Sequence, residues 1–207
     1  MNDSEHMDFK MPDDLKKCVE FHGHLCPGLV YGYRVAKAAM NLLEISRSRD
    51  EEVVAVSEND SCAVDALQVL LGTSAGKGNL ILKDYGKNAY TVLNRKNKTA
   101  YRFSRKKKYR YESQSKDEKD EFVRLDAAIS SGTATEAEKR RQKGLKAQDL
   151  LRRPFEDIFS TEKADCVMPP YAPLARSEAC AKCGEMTMSS KMIQAKNGEF
   201  LCIPCAS

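Results

Sequence analysis

Four cysteines near the end of the chain form two C-x-x-C pairs. Cys180 and Cys183 make the first pair, and Cys202 and Cys205 make the second, after eighteen intervening residues. Four thiolates at this spacing predict a tetrahedral zinc site, and the alternative is a pair of disulfides. A segment of about thirty residues buries too little apolar surface to fold alone, so we expect zinc to stabilise it. Four protein ligands make that zinc structural, because no position stays open for a substrate.

Turn residues around these cysteines fit a small metal-binding domain. Gly184 follows the first pair and permits a backbone turn that points amides at the sulfur atoms. Asn197-Gly198 predicts a β-hairpin between the two pairs. We therefore expect a four-cysteine zinc-binding domain over residues 177–207, which a Pro-rich linker over residues 166–176 joins to the rest of the chain.

A second group of reactive residues lies near the start of the chain. His22, His24 and Cys26 alternate along the sequence, and two of the chain's three histidines therefore fall within three residues. Pro27 fits the first turn of a helix, whose N-terminus would favour the thiolate form of Cys26. We predict a metal ligand or a nucleophile here. The structural alternative is that the histidines cap and fill the core and that Cys26 is a small buried side chain.

A third group follows a predicted strand and opens a predicted helix, which is where open sheets place ligands. Ser61 is expected to cap this helix, and Cys62 receives the same thiolate-favouring environment as Cys26. The carboxylate of Asp60 or Asp65 would orient a histidine by binding the ring nitrogen that faces away from the ligand. Ordinary helix capping with Cys62 as packing is the alternative.

Together the two groups predict one pocket. Its core would be His22, Cys26 and Cys62, and its ligand would be a small molecule or a second, exchangeable metal. Thiols and imidazoles suit zinc, iron or nickel, with softness favouring zinc. Such a metal could polarise a carbonyl, or a thiolate could attack it, and the residues do not decide whether the protein is an enzyme.

The glycine-rich stretch 72–79 is not a nucleotide-binding phosphate loop. It follows a helix rather than a strand, and Gly78 stands where the magnesium-binding Ser or Thr would be. Exposed amides and Lys77 could still bind an anionic group, and the alternative is a flexible connector.

The elements that must position these residues predict an α+β fold, with a small, mostly antiparallel sheet packed against helices. A charged helical hairpin over residues 116–152 follows, and Thr135 and Glu138 form the capping box that begins its second helix. Residues 154–159 are predicted to form a short apolar turn. The predicted helices are 15–21, 28–44, 62–71, 116–129 and 136–152, and the predicted strands are 53–56, 80–83, 89–94 and 99–105.

Length and composition complete the frame. The chain has 207 residues and a net charge of +4, which allows one main domain, residues 1–165, besides the zinc-binding domain. No apolar run reaches the roughly eighteen residues of a membrane span, and the first ten residues lack a signal-peptide core. We expect a cytoplasmic protein, whose cysteines serve metal and thiol chemistry.

Four motifs, in this order, resemble the E subunit family of formylmethanofuran dehydrogenase. The C-terminal C-x-x-C-G-E sequence is also similar to one that many members carry. The resemblance is strong over residues 12–105 and looser over residues 154–207. The motifs are residues 22–28 (HGHLCPG), 60–68 (DSCAVDALQ), 72–80 (GTSAGKGNL) and 84–87 (DYGK).

This resemblance implies an α+β core, a zinc-binding tail, a homodimer and a link to the metabolism of one-carbon groups. It does not imply the molybdenum or tungsten centre, because the E subunit is not the part that holds it. Carried over residue by residue, the resemblance implies a polar pocket with a core of His22, Cys26 and Cys62, surrounded by His24, Asp60 and Lys77.

A basic segment supports a different class of function. Residues 95–111 contain nine Lys or Arg and no acid, interleaved with four aromatic residues. Phosphate neutralisation with stacking aromatics is typical of single-stranded nucleic acid binding, and zinc domains also serve as protein adaptors. However, Tyr101 and Phe103 alternate with polar residues, which fits a strand with one buried face at a charged, aggregation-resistant sheet edge.

Overall fold

The computed structural model of the chain describes residues 11–113, 115–165 and 167–207. It divides into two compact units, Met1–Pro170 and Tyr171–Ser207. The division falls within the Pro-rich segment that the sequence marks as a linker. Each unit is described by itself below.

The first unit contains the predicted helices and strands in the predicted order. One element was missed: residues 154–159 are not only a turn, because a short helix there runs directly into a further strand. The helices are α1 (Asp13–His22), α2 (Pro27–Leu42), α3 (Ala63–Leu71), α4 (Lys116–Ser130), α5 (Glu136–Arg152) and α6 (Phe155–Ile158). The strands are β1 (Val53–Ser57), β2 (Leu80–Leu82), β3 (Ala89–Asn94), β4 (Thr99–Arg105) and β5 (Phe159–Lys163).

The five strands form one sheet in the order β2-β1-β3-β4-β5. The β1–β2 pair is parallel, and the other three pairs are antiparallel, which confirms a mostly antiparallel sheet. The expectation that β4 is a charged edge strand is wrong, because β5 pairs with its outer side from Tyr101–Lys163 to Arg105–Phe159. The basic residues of β4 therefore lie on an inner strand.

Local signals set the helix ends. Pro27 is the first residue of α2, and α3 stops at Gly72, whose φ of 71° suits glycine. The capping box of Thr135 and Glu138 is present at the start of α5. Ser61 does not cap α3, because Cys62 occupies that position and the Ser61 hydroxyl lies 2.7 Å from the side-chain oxygen of Asn59.

The main core lies between one face of the sheet and the helices. Its largest fully buried side chains include Leu15 of α1, Leu29 of α2, Leu67 of α3, and Tyr90 and Phe103 of the sheet. A smaller apolar cluster of Val54, Leu93 and Ala100 covers the opposite face. The helices that carry the reactive residues thus rest on the main core.

Arg34 of α2 fastens the helical hairpin to this core. Its guanidinium donates hydrogen bonds to the carbonyls of Leu150 (2.6 Å), Leu151 (3.1 Å) and Arg153 (2.8 Å). The carbonyls at the end of a helix lack partners within it, and a guanidinium fork satisfies several at once. The end of α5 is therefore fixed against α2.

The second unit consists of two short hairpins, a 3₁₀ turn between them (Ser189–Lys191) and a final α-helical turn. Strands β6 (Ser177–Ala179) and β7 (Met186–Met188) pair antiparallel, as do β8 (Ile193–Gln194) and β9 (Phe200–Leu201). Asn197-Gly198 connects the second hairpin, as the sequence predicts. The turn α7 (Ile203–Ala206) ends the chain. In the part of the chain that the structure describes, no helix combines the length and the apolar character that crossing a bilayer requires.

Two glycines let α2 and α3 approach closely. A Cβ on Gly32 would lie 2.7 Å from the carbonyl carbon of Ala63, at the start of α3, and a Cβ on Gly28 would lie 3.0 Å from the Cβ of Cys62. Distances this short leave no room for a side chain at Gly32, since the obstacle is backbone. The beginning of α3 is therefore held beside the first two turns of α2.

The first prediction tests this packing. Gly32→Ala should lower the free energy of unfolding of the first unit by about 3 kcal/mol or more, because the helices must separate. Helix propensity alone would give the opposite sign, a gain of about 1 kcal/mol. Urea denaturation measures the difference.

Gly76→Ala is the matched control. A Cβ there meets nothing within 4 Å, and Gly76 lacks a positive φ. Its free energy of unfolding should stay within about 0.5 kcal/mol of the wild type. Equal stability of the Gly32 and Gly76 variants would show that the helices do not depend on the contact.

Candidate metal centres

The four tail cysteines converge. The sulfur atoms of Cys180, Cys183, Cys202 and Cys205 all lie within 4.8 Å of one another, and those of Cys183 and Cys202 are 3.9 Å apart. Cys180 and Cys183 flank the turn between β6 and β7, where Gly184 has a φ of 74°. Four thiols at these distances could hold one metal ion.

Backbone amides prepare this cluster for thiolates. The Cys202 N–H donates to the sulfur of Cys180 at 3.3 Å. Hydrogen bonds from the backbone of Cys183 and Cys202 lower the pKa of Cys180 to about 6. The neighbouring thiol of Cys202 raises the pKa of Cys205 to about 12, as crowded thiols disfavour a further negative charge. A bound cation would be needed to hold all four sulfur atoms as thiolates at these distances.

The interior of the second unit fits a metal better than an apolar core. Within Tyr171–Ser207, the buried residues are Cys180 and Cys202, while the larger apolar side chains Met186, Phe200 and Ile203 are exposed. Hydrophobic burial therefore contributes little to its stability. The donor set and the scarcity of buried apolar side chains both fit a structural metal ion.

The second cysteine pair differs from the first in its local structure. Cys202 precedes α7, and Cys205 lies within that helical turn, with its N–H donating to the Cys202 carbonyl at 3.0 Å. The first pair thus lies in the turn of a hairpin, and the second lies at the start of a helical turn.

The N-terminal group also converges. Donor atoms of His22, His24 and Cys26 all lie within 4.8 Å of one another. Nε2 of His22 is 3.7 Å from the sulfur of Cys26, and the two imidazole rings have centroids 4.6 Å apart. The end of α1 supplies His22, the connection at Gly23 reverses the chain with a φ of 92°, and Cys26 caps α2. This arrangement could hold a metal ion as well.

Asp65 fixes the orientation of His22. Its carboxylate lies 2.6 Å from Nδ1 of the imidazole. A carboxylate only accepts hydrogen bonds, so Nδ1 carries the proton and the lone pair of a neutral ring stays on Nε2, toward Cys26. This carboxylate–histidine arrangement is the usual support of a metal-binding imidazole.

Cys62 lies beside Cys26. Both sulfur atoms are within 4 Å of the point where a Cβ on Gly28 would stand, at 3.5 Å for Cys62 and 3.8 Å for Cys26. His22 and Cys62 therefore both lie beside Cys26. The tightest set of donors, however, contains His24 in place of Cys62.

The predicted acidity of Cys26 is wrong. Its sulfur accepts the Leu29 N–H at 3.4 Å, as expected at a helix N-terminus, but burial raises the pKa of Cys26 to about 11. Burial likewise raises the pKa of Cys18 to about 12. Desolvation of the thiolate outweighs the helix dipole here.

Lys77, a predicted neighbour of the pocket, lies elsewhere. Lys77 donates hydrogen bonds to the carbonyls of Gly72 and Asp50, at the end of α3 opposite to Cys62. Asp60 is exposed, and the carboxylate that contacts His22 is that of Asp65. The position of Asp65, in the first turn of α3 and three residues after Cys62, is the signal that distinguishes it from Asp60.

Sequence reasoning missed Gly32. Gly28 and Gly32 are four residues apart and therefore share one face of α2. Small residues at that spacing are a signal for close helix packing. The contact determines where Cys62 lies, although Gly32 has no chemistry of its own.

Comparisons with known proteins show which proteins this chain resembles. A family model described as "FmdE, Molybdenum formylmethanofuran dehydrogenase operon" matches residues 21–165. A curated relative from Archaeoglobus fulgidus, described as a probable S-adenosyl-L-methionine-binding protein, is 30% identical over 196 residues. That match covers 93% of this chain and 52% of the relative, so the chain spans about half the length of that protein.

A solved structure shares the fold. It is the crystal structure of an FmdE-like protein from Syntrophus aciditrophicus, described as similar to the E subunit of a tungsten formylmethanofuran dehydrogenase, with a TM-score of 0.55 and 18% identity. The match covers 92% of this chain and 89% of that one. Since the family model covers well over half of the chain, including His22, Cys26, Cys62 and Asp65, the protein belongs to the FmdE family.

Proposed function

We propose that this FmdE-family protein binds two metal ions with different tasks. The His22–His24–Cys26 cluster holds an exchangeable metal that binds a small carbonyl compound, such as a formyl group in one-carbon metabolism. The tail cysteines hold a structural zinc. The observation that carries the proposal is the convergence of three donor atoms within 4.8 Å with Asp65 behind His22.

The donor set suggests what this centre does. Two imidazoles and one thiolate are the ligands of a three-coordinate protein site, and such sites leave a fourth position for water or substrate. A metal bound there would act as a Lewis acid on a carbonyl oxygen. This contrasts with the tail, where four thiolates complete the coordination shell.

The surrounding residues prepare the centre. Asp65 holds the His22 ring in one tautomer, and the burial of Cys26, 6% exposed, shields the sulfur from water. The His22 side chain is 12% exposed and that of Asp65 is 31% exposed, so the cluster opens to solvent on this side. A small ligand would enter there, next to Cys62.

Location, assembly and a further ligand belong to the same proposal. We propose a cytoplasmic homodimer, as the resemblance to the E subunit family implies. S-adenosyl-L-methionine is among the small molecules to test, because the Archaeoglobus fulgidus relative is described as a probable binder of it.

The second prediction concerns the N-terminal centre. Asp65→Asn should weaken metal binding there about 10- to 100-fold, because it removes the charge that supports His22. The measurement is a cobalt titration of full-length protein whose tail site is already loaded with zinc. Absorption from thiolate-to-cobalt charge transfer reports Cys26 as a ligand.

Asp60→Asn is the matched control, with the same change of charge at an exposed position shortly before α3. It should bind cobalt like the wild type. Equal affinities of the two variants would remove Asp65 from the centre. A zinc-loaded wild type that takes up no cobalt would refute the second metal altogether.

The third prediction concerns the tail. Replacing Cys202 and Cys205 with serine should remove one zinc equivalent per chain and make residues 171–207 sensitive to protease. The first unit should keep its free energy of unfolding, since it has its own core. Elemental analysis and limited proteolysis of the full chain give both results.

Cys18→Ala is the complementary control. Cys18 is fully buried in the main core and lies outside both metal clusters. Its replacement should reduce the stability of the first unit and leave the zinc content unchanged. Full zinc stoichiometry in the Cys202 and Cys205 double variant would contradict the structural site.

A further inference from the structure

A large cleft in the first unit is lined by basic residues that the metal centres do not use. It has a volume of about 1090 Å³, at the upper end of the size of small-molecule sites. One wall is the chain after β4, residues 105–113, and the other is the end of α5 with the residues that follow. The nearly buried side chains Tyr31, Leu150 and Ile158 also line it.

Most acids in the cleft are already neutralised. Asp149 accepts hydrogen bonds from Tyr109 at 2.6 Å and from Arg153 at 2.7 Å. Glu118 binds Arg152 at 3.1 Å. These two ion pairs cancel, and Glu112 lies 3.7 Å from Arg153 at the rim. What remains of the charge is set by Glu112, Asp157 and the other cations.

Four further cations line the cleft, while Asp157 and Glu112 are its other two carboxylates, so six cations and four carboxylates give the lining a net charge of +2. Among the described residues, none of Arg105, Lys107, Lys108 and Arg110 forms an ion pair with a carboxylate. Arg105 is held over the ring of Tyr31, 5.3 Å from its centroid. Lys107, Lys108 and Arg110 extend from a stretch without regular structure. The charges of these four cations therefore face the cleft and exceed those of the two remaining carboxylates.

The basic lining continues beyond this cleft. An adjoining recess of about 360 Å³ shares Arg105 and Lys107 and adds Lys87, Arg102 and Lys106. The carbonyl of Lys87 accepts a hydrogen bond from the Asn59 side chain at 2.7 Å, three residues before Cys62. The positive surface thus leads along the sheet end toward the N-terminal centre.

Aromatic side chains of this segment are not available for stacking on bases. Phe103 is fully buried, Tyr101 packs against the main core, Tyr109 is bonded to Asp149, and Tyr111 stacks on Phe122 with ring centroids 4.1 Å apart. Sequence-independent binding of single strands relies on exposed aromatic platforms. The geometry therefore favours a small ligand over nucleic acid.

We propose that this cleft binds a polyanionic small molecule through Arg105, Lys107, Lys108 and Arg110. The ligand carries at least two phosphate or carboxylate groups, because the four cations are spread along the wall. Arginine and lysine pair with either group, arginine often in a bidentate manner. The proposal requires no metal at His22, although the two places share one end of the sheet.

Calorimetric titration of zinc-loaded, full-length protein tests the proposal with two probes. Pyrophosphate represents phosphate ligands, and citrate represents carboxylate ligands. The variant Lys107→Gln/Lys108→Gln/Arg110→Gln should bind the preferred probe at least about tenfold more weakly, since charge-assisted hydrogen bonds are lost. Its thermal stability should stay unchanged, because the three side chains are exposed.

The control variant is Lys139→Gln/Arg140→Gln/Lys143→Gln on the exposed face of α5. It removes the same net charge, so an equal loss of affinity would mean non-specific attraction and overturn the proposal. The absence of binding of both probes to the wild type would also overturn it.

Two further measurements separate this site from its rivals. His22→Ala should keep full affinity for the probe, and a loss there would place the anion on the metal centre instead. A short oligothymidine that binds more tightly than pyrophosphate, and loses affinity in the cleft variant, would overturn the small-molecule ligand in favour of nucleic acid.

Discussion

The close packing of α2 against the start of α3 is the constraint on which the N-terminal centre depends. Gly32 admits the backbone of Ala63, and Gly28 admits Cys62. Since Cys26 precedes α2 and Asp65 lies in the first turn of α3, this one contact brings together groups that are far apart in sequence. The turn of the chain at Gly23, after α1, then brings the two histidines next to these groups. The site is therefore a consequence of helix packing.

The two metal centres depend on folding in opposite ways. The N-terminal residues are positioned by an apolar core that would exist without a metal, so their geometry is prepared in advance. The tail has no comparable core, and its buried residues, Cys180 and Cys202, belong to the cluster that could hold a metal ion. Metal binding there would be part of folding. With metal at both clusters, as we propose, this difference would let the first centre exchange its metal while the tail metal remains in place.

Local sequence signals predicted most elements of the fold, because caps, glycines and periodic apolar residues act within a few residues. The spacing of the two C-x-x-C pairs also predicted that the four cysteines converge. Other features depend on tertiary contacts: β5 became a strand by pairing with β4, and Lys77 found carbonyls at the far end of α3. The pKa of Cys26 also escaped prediction, since burial by distant residues outweighs the local helix end.

The position of β5 explains why one part of the basic segment is structural and another part is exposed. Pairing with β5 makes β4 an inner strand, so Arg102 there is held by Glu58 at 2.8 Å and serves structure. After Arg105 the chain leaves the sheet, and the lysines of this segment form no such ion pair among the described residues.

The end of β1 pairs with the start of β3, and the start of β3 pairs with the end of β4. Cys62 and the basic cleft therefore lie at the same end of the sheet. A ligand with an anionic part and a reactive carbonyl would meet both kinds of residue there.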